Sequence, residues 1–135
     1  YSKFIDTPNS CTIVEDLMDV TSKLVAKDAT GLYNVANPGV TTPLRIAQLL
    51  KTHLKPEMTL SAITKEELNR MTLAKRIDCV LSIAKLEKEG IAMRPIEERL
   101  LDILAALKHN LASGEADATL RKTEEETREK LALVG

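Results

Sequence analysis

Apolar residues recur at helical spacing in the first third of the chain. A strand is predicted at Lys3–Ile5, where apolar residues precede a turn at Pro8. Thr12 and Glu15 then have the T-x-x-E spacing of a capping box, in which each residue bonds the other's backbone N–H. The apolar positions that follow keep a period near 3.6 until Gly31, so a helix is predicted over 13–28.

Two later stretches show the same helical period. One begins at Thr42-Pro43, because proline at the first helical position loses no hydrogen bond that the helix needs, and it ends before Pro56. The other begins at Pro95 and runs to Ser113-Gly114, and it has the most continuous apolar face in the chain. Beyond it, 113–135 is charged and its apolar stripe is thin, which predicts a helical tail that is either solvated and frayed or in need of a partner.

Shorter elements fill the intervals between these helices. The runs 31–36, 59–63 and 79–81 are β-prone and predict short strands. Thr64 to Glu67 repeats the capping-box spacing and predicts a short helix, and a further helical turn ends at Gly90. Helices mixed with a few strands favour a helix-rich α/β fold over a helical bundle.

The bulk composition narrows the classes of partner. The 135 residues suffice for one domain with a real core, but only 2% are aromatic, so aliphatic side chains must build the interior. A formal net charge of −1 argues against nucleic acid or an anionic membrane as the partner. Cys11 and Cys79 are far apart and predict small core residues in a reducing cytoplasm.

The sequence lacks the recognisable motifs of catalysis. Its five glycines form neither a dinucleotide-binding loop nor a P-loop, and neither tyrosine begins a Y-x-x-x-K. His53 and His109 have no second ligand at metal-binding spacing, so structural or surface roles are predicted for both and no metal site is expected. Adjacent carboxylates such as Glu66 and Glu67 point in different directions on a helix and suit first turns.

Four segments, in order, resemble the C-terminal third of extended short-chain dehydrogenase/reductases that act on nucleotide sugars. The likeness is to the NAD-dependent epimerase/dehydratase family, and within it to dTDP-4-dehydrorhamnose reductases and nucleotide-rhamnose epimerase/reductases. The four segments are the P-N-S-x-T stretch 8–12, the G-x-Y-N strand with its N-P-G-V turn at 31–40, the R-x-D and S-x-x-K-L stretch 76–86, and Arg94-Pro95 before the last helix.

The resemblance implies a part of a Rossmann-type enzyme, covering 1–112, that forms one wall of the cleft for a nucleotide diphosphate-sugar. It implies that Arg76 contacts the diphosphate, since a guanidinium can bind phosphate oxygens bidentately. The alternative is a surface arginine paired with Asp78. Asn9 and Ser10 could face the sugar or serve as turn and cap residues, and Asn37 could contact the ligand or only shape its turn.

The same resemblance assigns catalysis to residues outside this sequence. NAD or NADP, with the catalytic Tyr and Lys, would belong to an N-terminal Rossmann half that precedes Tyr1. No cofactor and no catalytic residue are expected in this chain. Surface that would face that half predicts a homo-oligomer here. The competing hypotheses are a binding or self-association module that keeps the same fold, and an unrelated helical interaction domain.

Overall fold

A computed structural model describes residues 2–75 and 77–113 of the chain. Within these ranges the chain forms two short strands and five helices. In chain order these are β1 (Lys3–Ile5), α1 (Val14–Ala26), α2 (Pro43–His53), β2 (Ser61–Ile63), α3 (Lys65–Met71), α4 (Ala84–Lys88) and α5 (Ile96–Ser113). The predicted tail lies outside the described residues except for Ser113, the last residue of α5.

The two strands pair in parallel, with Lys3 opposite Ser61 and Ile5 opposite Ile63. Parallel strands need a long crossover connection, and here that connection contains α1 and α2. The predicted helix-rich α/β fold is therefore confirmed at this level, as two parallel strands among many helices. The predicted strands at 31–36 and 79–81 were wrong, because those residues form only side-chain bonds and an isolated bridge.

The core lies where α1 and α4 meet the segments beside them. Val20 on α1, Leu86 on α4 and Ile91 after α4 are almost fully buried and contact one another. Leu24, Tyr33, Val35 and Met93 pack around this cluster. Burying one such aliphatic side chain contributes about 1.5–3 kcal/mol, so this cluster fixes α4 against α1.

A second packed region joins α2 to α5 and to β1. Ala47 and Leu49 on α2 are buried, as are Ile96 and Leu104 on α5. At the exposed edge of this contact, the Arg45 guanidinium donates to the Glu97 carboxylate.

Two of the helices, α2 and α3, begin with a side-chain cap, whereas α1 does not. At α2, the Thr42 hydroxyl accepts a hydrogen bond from the Arg45 N–H, and at α3 Thr64 and Glu67 form the predicted capping box. At α1 the predicted capping box was wrong, because the helix begins one residue later, at Val14 after Ile13. The Thr12 hydroxyl instead donates to the Val35 carbonyl at 2.7 Å.

The cysteines differ from the predicted core positions. Cys11 is half-buried and Cys79 is exposed, and neither is in a disulfide. Cys79 was wrongly predicted to be a core residue because its sequence neighbours are apolar, whereas the whole stretch 77–82 lies at the surface. Among the described helices none is long and apolar enough to cross a membrane.

Candidate functional site

The residues after β1 lie between two other parts of the chain. We call 9–13 the central segment. On one side its Asn9 exchanges both backbone hydrogen bonds with Thr41, at 2.9 and 3.1 Å. On the other side the Ser10 N–H donates to the Cys79 carbonyl at 2.8 Å. The central segment therefore joins the start of α2 to the stretch that follows Arg76.

The side chains of Asn9 and Ser10 reinforce that second junction. Asn9 Oδ1 accepts from the Cys79 N–H at 3.2 Å, and Ser10 Oγ accepts from the Leu81 N–H at 2.9 Å. The Asn9 amide nitrogen donates to the Thr7 carbonyl at 3.0 Å. Two predicted site residues are thus brought together with 77–81. Only the bond from Asn9 to Thr7 is a local one of the kind expected in a turn. Direct ligand contact by either residue stays a prediction.

Arg76, the predicted diphosphate contact, lies outside the described residues, but both its neighbours are described. Lys75 and Ile77 are exposed, so the chain runs along the surface on each side. Two residues further on, the Asp78 carboxylate accepts from Lys65 Nζ at 2.9 Å. The stretch 77–81 is therefore fixed from two directions, by α3 and by the central segment.

These parts meet at one edge of the two-stranded sheet. Because β1 and β2 are parallel, the residues following both strands leave from the same edge. We call the group there the carboxyl-edge cluster: the loop 6–10, Thr64 and Lys65, and the stretch 77–81. Ligands of open α/β sheets bind outside the carboxyl ends of strands, which makes this cluster the best-placed candidate site in the described part of the chain.

A groove of about 300 Å³ opens beside the cluster, between β2 and α3. Lys3 and Arg70 place two cations at its walls, and Glu67 places one carboxylate there. The pKa of Glu67 is lowered, first by the hydrogen bond from the Thr64 backbone N–H and then by the Thr64 hydroxyl. The other lining residues are Ala62, Ile63 and Met71.

Asn37 does not lie at this edge. It is 1% exposed, and its Oδ1 accepts from the Ile13 N–H at 2.9 Å. Its amide nitrogen donates to the Arg94 carbonyl at 3.0 Å and to the Asp16 carboxylate. All polar atoms of this side chain are therefore engaged within the protein. Ligand contact by Asn37 stays a prediction. Its bonds connect the central segment, α1 and the residue before α5.

An ionic network that the sequence did not indicate extends from Asn37. Arg99 Nε donates to both Asp16 oxygens, at 3.0 and 2.9 Å, and the two side chains are only 16% and 21% exposed. Burial alone would raise the pKa of Asp16, but the bonds from Asn37 and Arg99 lower it below its ordinary value. Asp102 binds both Arg94 and Arg99, and the Arg94 hydrogen bond is the main cause of its lowered pKa.

Sequence reasoning also missed Thr41, which pairs with Asn9. It is 3% exposed, and among the described residues its hydroxyl oxygen is buried with no hydrogen-bond partner. Its contact with Asn9 joins residues that are distant along the chain, and no local spacing signals such a contact.

The S-x-x-K-L stretch has a structural role in this geometry. Lys85 Nζ lies 3.8 Å from the centre of the Tyr33 ring and donates to the Leu32 carbonyl at 3.0 Å. Tyr33 in turn donates its phenol hydrogen to Glu89 at 2.9 Å. Together with buried Leu86, these contacts fix α4 to the segment 31–36 and keep this part of the motif away from the carboxyl-edge cluster.

Comparison with known proteins places these features in context. No family model matches the chain. It is 32% identical over 101 residues to a bifunctional dTDP-4-dehydrorhamnose 3,5-epimerase/dTDP-4-dehydrorhamnose reductase of Arabidopsis thaliana. It is equally similar to a trifunctional UDP-glucose 4,6-dehydratase/UDP-4-keto-6-deoxy-D-glucose 3,5-epimerase/UDP-4-keto-L-rhamnose-reductase of the same plant. Its homologues are nucleotide-rhamnose epimerase/reductase enzymes.

The fold agrees with this homology. The crystal structure of the UDP-rhamnose synthase from Acanthamoeba polyphaga mimivirus matches 77% of this chain with a TM-score of 0.68 and 25% sequence identity. Each match to the plant enzymes covers 75% of this chain. The chain spans only 34% of the bifunctional plant enzyme, 15% of the trifunctional one and 36% of the viral synthase.

Proposed function

We propose that this chain is the nucleotide-diphosphate-sugar-binding portion of an NAD(P)-dependent sugar epimerase/reductase of the extended short-chain dehydrogenase type, and that it is not catalytic by itself. The observation that carries the proposal is the shared fold over 77% of the chain with a UDP-rhamnose synthase. The named activities of the relatives all concern nucleotide sugars. We infer that the carboxyl-edge cluster is the part that meets such a ligand.

In this proposal Arg76 binds the diphosphate, and Asn9 and Ser10 hold the stretch that carries it. The support is the pair of bonds from Asn9 and Ser10 to 79–81, together with the Lys65–Asp78 ion pair. A guanidinium suits two phosphate oxygens at once. The Asp78 carboxylate has Lys65 as a partner, which favours the diphosphate role for Arg76 over pairing with Asp78.

NAD or NADP belongs, in this proposal, to a Rossmann half elsewhere in the full-length protein. The residues in the described part of the chain do not fit a dinucleotide. Gly31, Gly39 and Gly90 all have positive φ, but they lie at three separate turns instead of within one strand-to-helix loop. A pyrophosphate cradle needs such a loop at a helix N-terminus. We therefore assign no cofactor contact to this chain, and its cytoplasmic location remains a prediction.

The proposal is tested by titrating the chain with dTDP-rhamnose, UDP-glucose and dTDP in a calorimeter. The Arg76→Ala variant should bind about 10- to 150-fold more weakly, the equivalent of a hydrogen bond to a charged group. Arg76→Lys should recover part of the affinity, since it keeps the charge but loses the bidentate geometry. Lys75→Ala is the matched control, because it removes an exposed neighbouring cation.

If Lys75→Ala and Arg76→Ala weakened the affinity equally, the loss would reflect only the removal of a positive charge. That outcome would contradict a diphosphate site at Arg76. The absence of binding by the unaltered chain would contradict the proposal that this portion binds the ligand on its own.

One observation favours the alternative of a self-association module. Apolar side chains are exposed on both sides of Arg76, and they are Met71, Leu73, Ile77 and Val80. Several large apolar side chains exposed in one stretch of chain suit a contact face. The same surface would suit a Rossmann half. A concentration-dependent dimer in sedimentation, together with no affinity for nucleotide sugars, would support self-association instead of ligand binding.

A further inference from the structure

We propose that Asn37 is a positioning residue of the candidate site: it fixes the central segment, and through that segment Asn9 and Ser10, without touching the ligand. Its relevance to ligand binding rests on the function proposed above. The structural part of the proposal, that Asn37 controls the junction between the central segment and 79–81, stands on contacts of the described residues alone.

Asn37 forms two hydrogen bonds with the C-terminal part of the central segment. Its backbone N–H donates to the Cys11 carbonyl at 2.9 Å, and its Oδ1 accepts from the Ile13 N–H at 2.9 Å. These bonds bracket the residues that directly follow Asn9 and Ser10. Rotation of the segment about its length at Cys11 or Ile13 would break a bond to Asn37, so these bonds restrict the chain next to Ser10.

The Asn37 side chain is itself fixed, because its amide nitrogen has two hydrogen-bond acceptors. Its amide nitrogen donates to the Arg94 carbonyl, just before α5, and to Asp16 on α1. Arg99 on α5 holds that carboxylate through both oxygens. A half-buried ionic pair thus orients the amide, and the amide orients the central segment. Buried polar groups with every partner present specify one arrangement of the chain.

No other residue type supplies the same set of bonds. Alanine would leave the buried Ile13 N–H without its partner and would remove the bond to the partly buried Arg94 carbonyl. Aspartate would keep the acceptor for Ile13 but place a second carboxylate against Asp16. Exchanging the two, with Asp16→Asn and Asn37→Asp together, would restore one amide-to-carboxylate bond in the reverse direction.

The readout is amide hydrogen exchange at Cys79 and Leu81, whose N–H groups bond to the Asn9 and Ser10 side chains. In Asn37→Ala, exchange at these two amides should accelerate about tenfold or more, the equivalent of one net hydrogen bond. Exchange at Ile46 and Leu54, which are bonded to Thr42 and Leu50 at α2, should change far less. Asn110→Ala on the exposed face of α5 is the matched control.

The double variant with Asp16→Asn and Asn37→Asp keeps the proposal testable if Asn37→Ala does not fold. In this double variant, amide hydrogen exchange at Cys79 and Leu81 should be slower than in Asn37→Asp alone. Uniform acceleration in α2 and at Cys79, or no acceleration at Cys79 and Leu81, would overturn a positioning role. The positioning role would also be overturned if amide exchange in the double variant were no slower than in Asn37→Asp.

Titration with dTDP-rhamnose separates this inference from the proposed function. If the unaltered chain binds, Asn37→Ala should lower the affinity in step with the exchange at Cys79. Unchanged affinity with faster exchange would refute the role of Asn37 in ligand binding. If the unaltered chain does not bind, the proposed function fails while the exchange data still decide whether Asn37 positions the junction.

Discussion

At the scale of single residues, the two cysteines differ in their exposure to solvent. Cys79 is exposed on the stretch that Asn9 and Ser10 hold, whereas Cys11 is half-buried within the segment. Burial raises the pKa of the Cys11 thiol. Since the thiolate is the reacting form, a raised pKa and restricted access both slow alkylation.

We therefore expect iodoacetamide at neutral pH to label Cys79 well before Cys11, as followed by mass spectrometry of the intact chain and its peptides. If the carboxyl-edge cluster binds the nucleotide sugar, saturating dTDP-rhamnose should slow labelling of Cys79. Labelling of Cys11 is the internal control. Faster labelling at Cys11 would contradict the burial described here.

Residue types in the sequence indicate local chemistry and nothing about distant partners. Asn37 could be predicted to lie in a turn, because Asn-Pro-Gly is a turn sequence. Its four partners lie in three parts of the chain, namely the central segment, α1 at Asp16 and the Arg94 carbonyl before α5, and no spacing in the sequence signals them. The roles of Asn9 and Ser10 at 79–81 were hidden for the same reason, since the bonds cross some 70 residues.

At the scale of elements, the helix starts show where prediction from spacing succeeds. Thr42 and Thr64 cap their helices with bonds to residues three positions away, so the local pattern suffices. Thr12 has the same spacing to Glu15, but its hydroxyl donates to the Val35 carbonyl across 23 positions. A tertiary partner there takes the place of the local one. The strand predicted at 31–36 failed because side chains occupy its backbone groups.

The α3 cap gives a prediction at this scale. Thr64→Ala removes the hydroxyl that accepts from the Glu67 N–H, so it should reduce the free energy of unfolding by about 1 kcal/mol. Thr52→Ala is the matched control, because Thr52 is an exposed helical threonine whose hydroxyl only bonds back to Gln48. Urea unfolding followed by circular dichroism measures both, and equal midpoints for the two variants would contradict the cap.

At the scale of the whole molecule, the carboxylates with lowered pKa make stability depend on acid. Asp16, Glu67 and Asp102 all have pKa values below their ordinary ones, of 3.8 for Asp and 4.5 for Glu. A carboxylate with a lowered pKa in the folded state stabilises the fold above its unfolded pKa. That contribution is lost as the pH falls through the folded pKa.

We therefore expect the urea midpoint to be level from about pH 8 to about pH 5 and to fall below about pH 4, where unfolded carboxylates begin to bind protons. Asp16→Asn should be less stable at neutral pH. Its stability should also fall less on acidification, because one of the carboxylates with a lowered pKa is gone. Asp19→Asn is the control, since Asp19 is in an exposed i,i+4 pair with Lys23. Identical acid slopes for both variants would exclude Asp16 as a contributor.

The bond between Asn9 and Cys79 has a consequence for how the chain acquires its fold. It closes a loop of 70 residues, and the two strands likewise pair across α1 and α2. Contacts so distant in sequence slow folding, because chain entropy is lost before they form. During synthesis, the pairing of β1 with β2 can form only once residue 63 has left the ribosome, and the bonds of Asn9 and Ser10 to 79–81 can form only later still. A ribosome-bound chain arrested before that point still lacks α4 and α5, and its loop at Asn9 and Ser10 should be unformed.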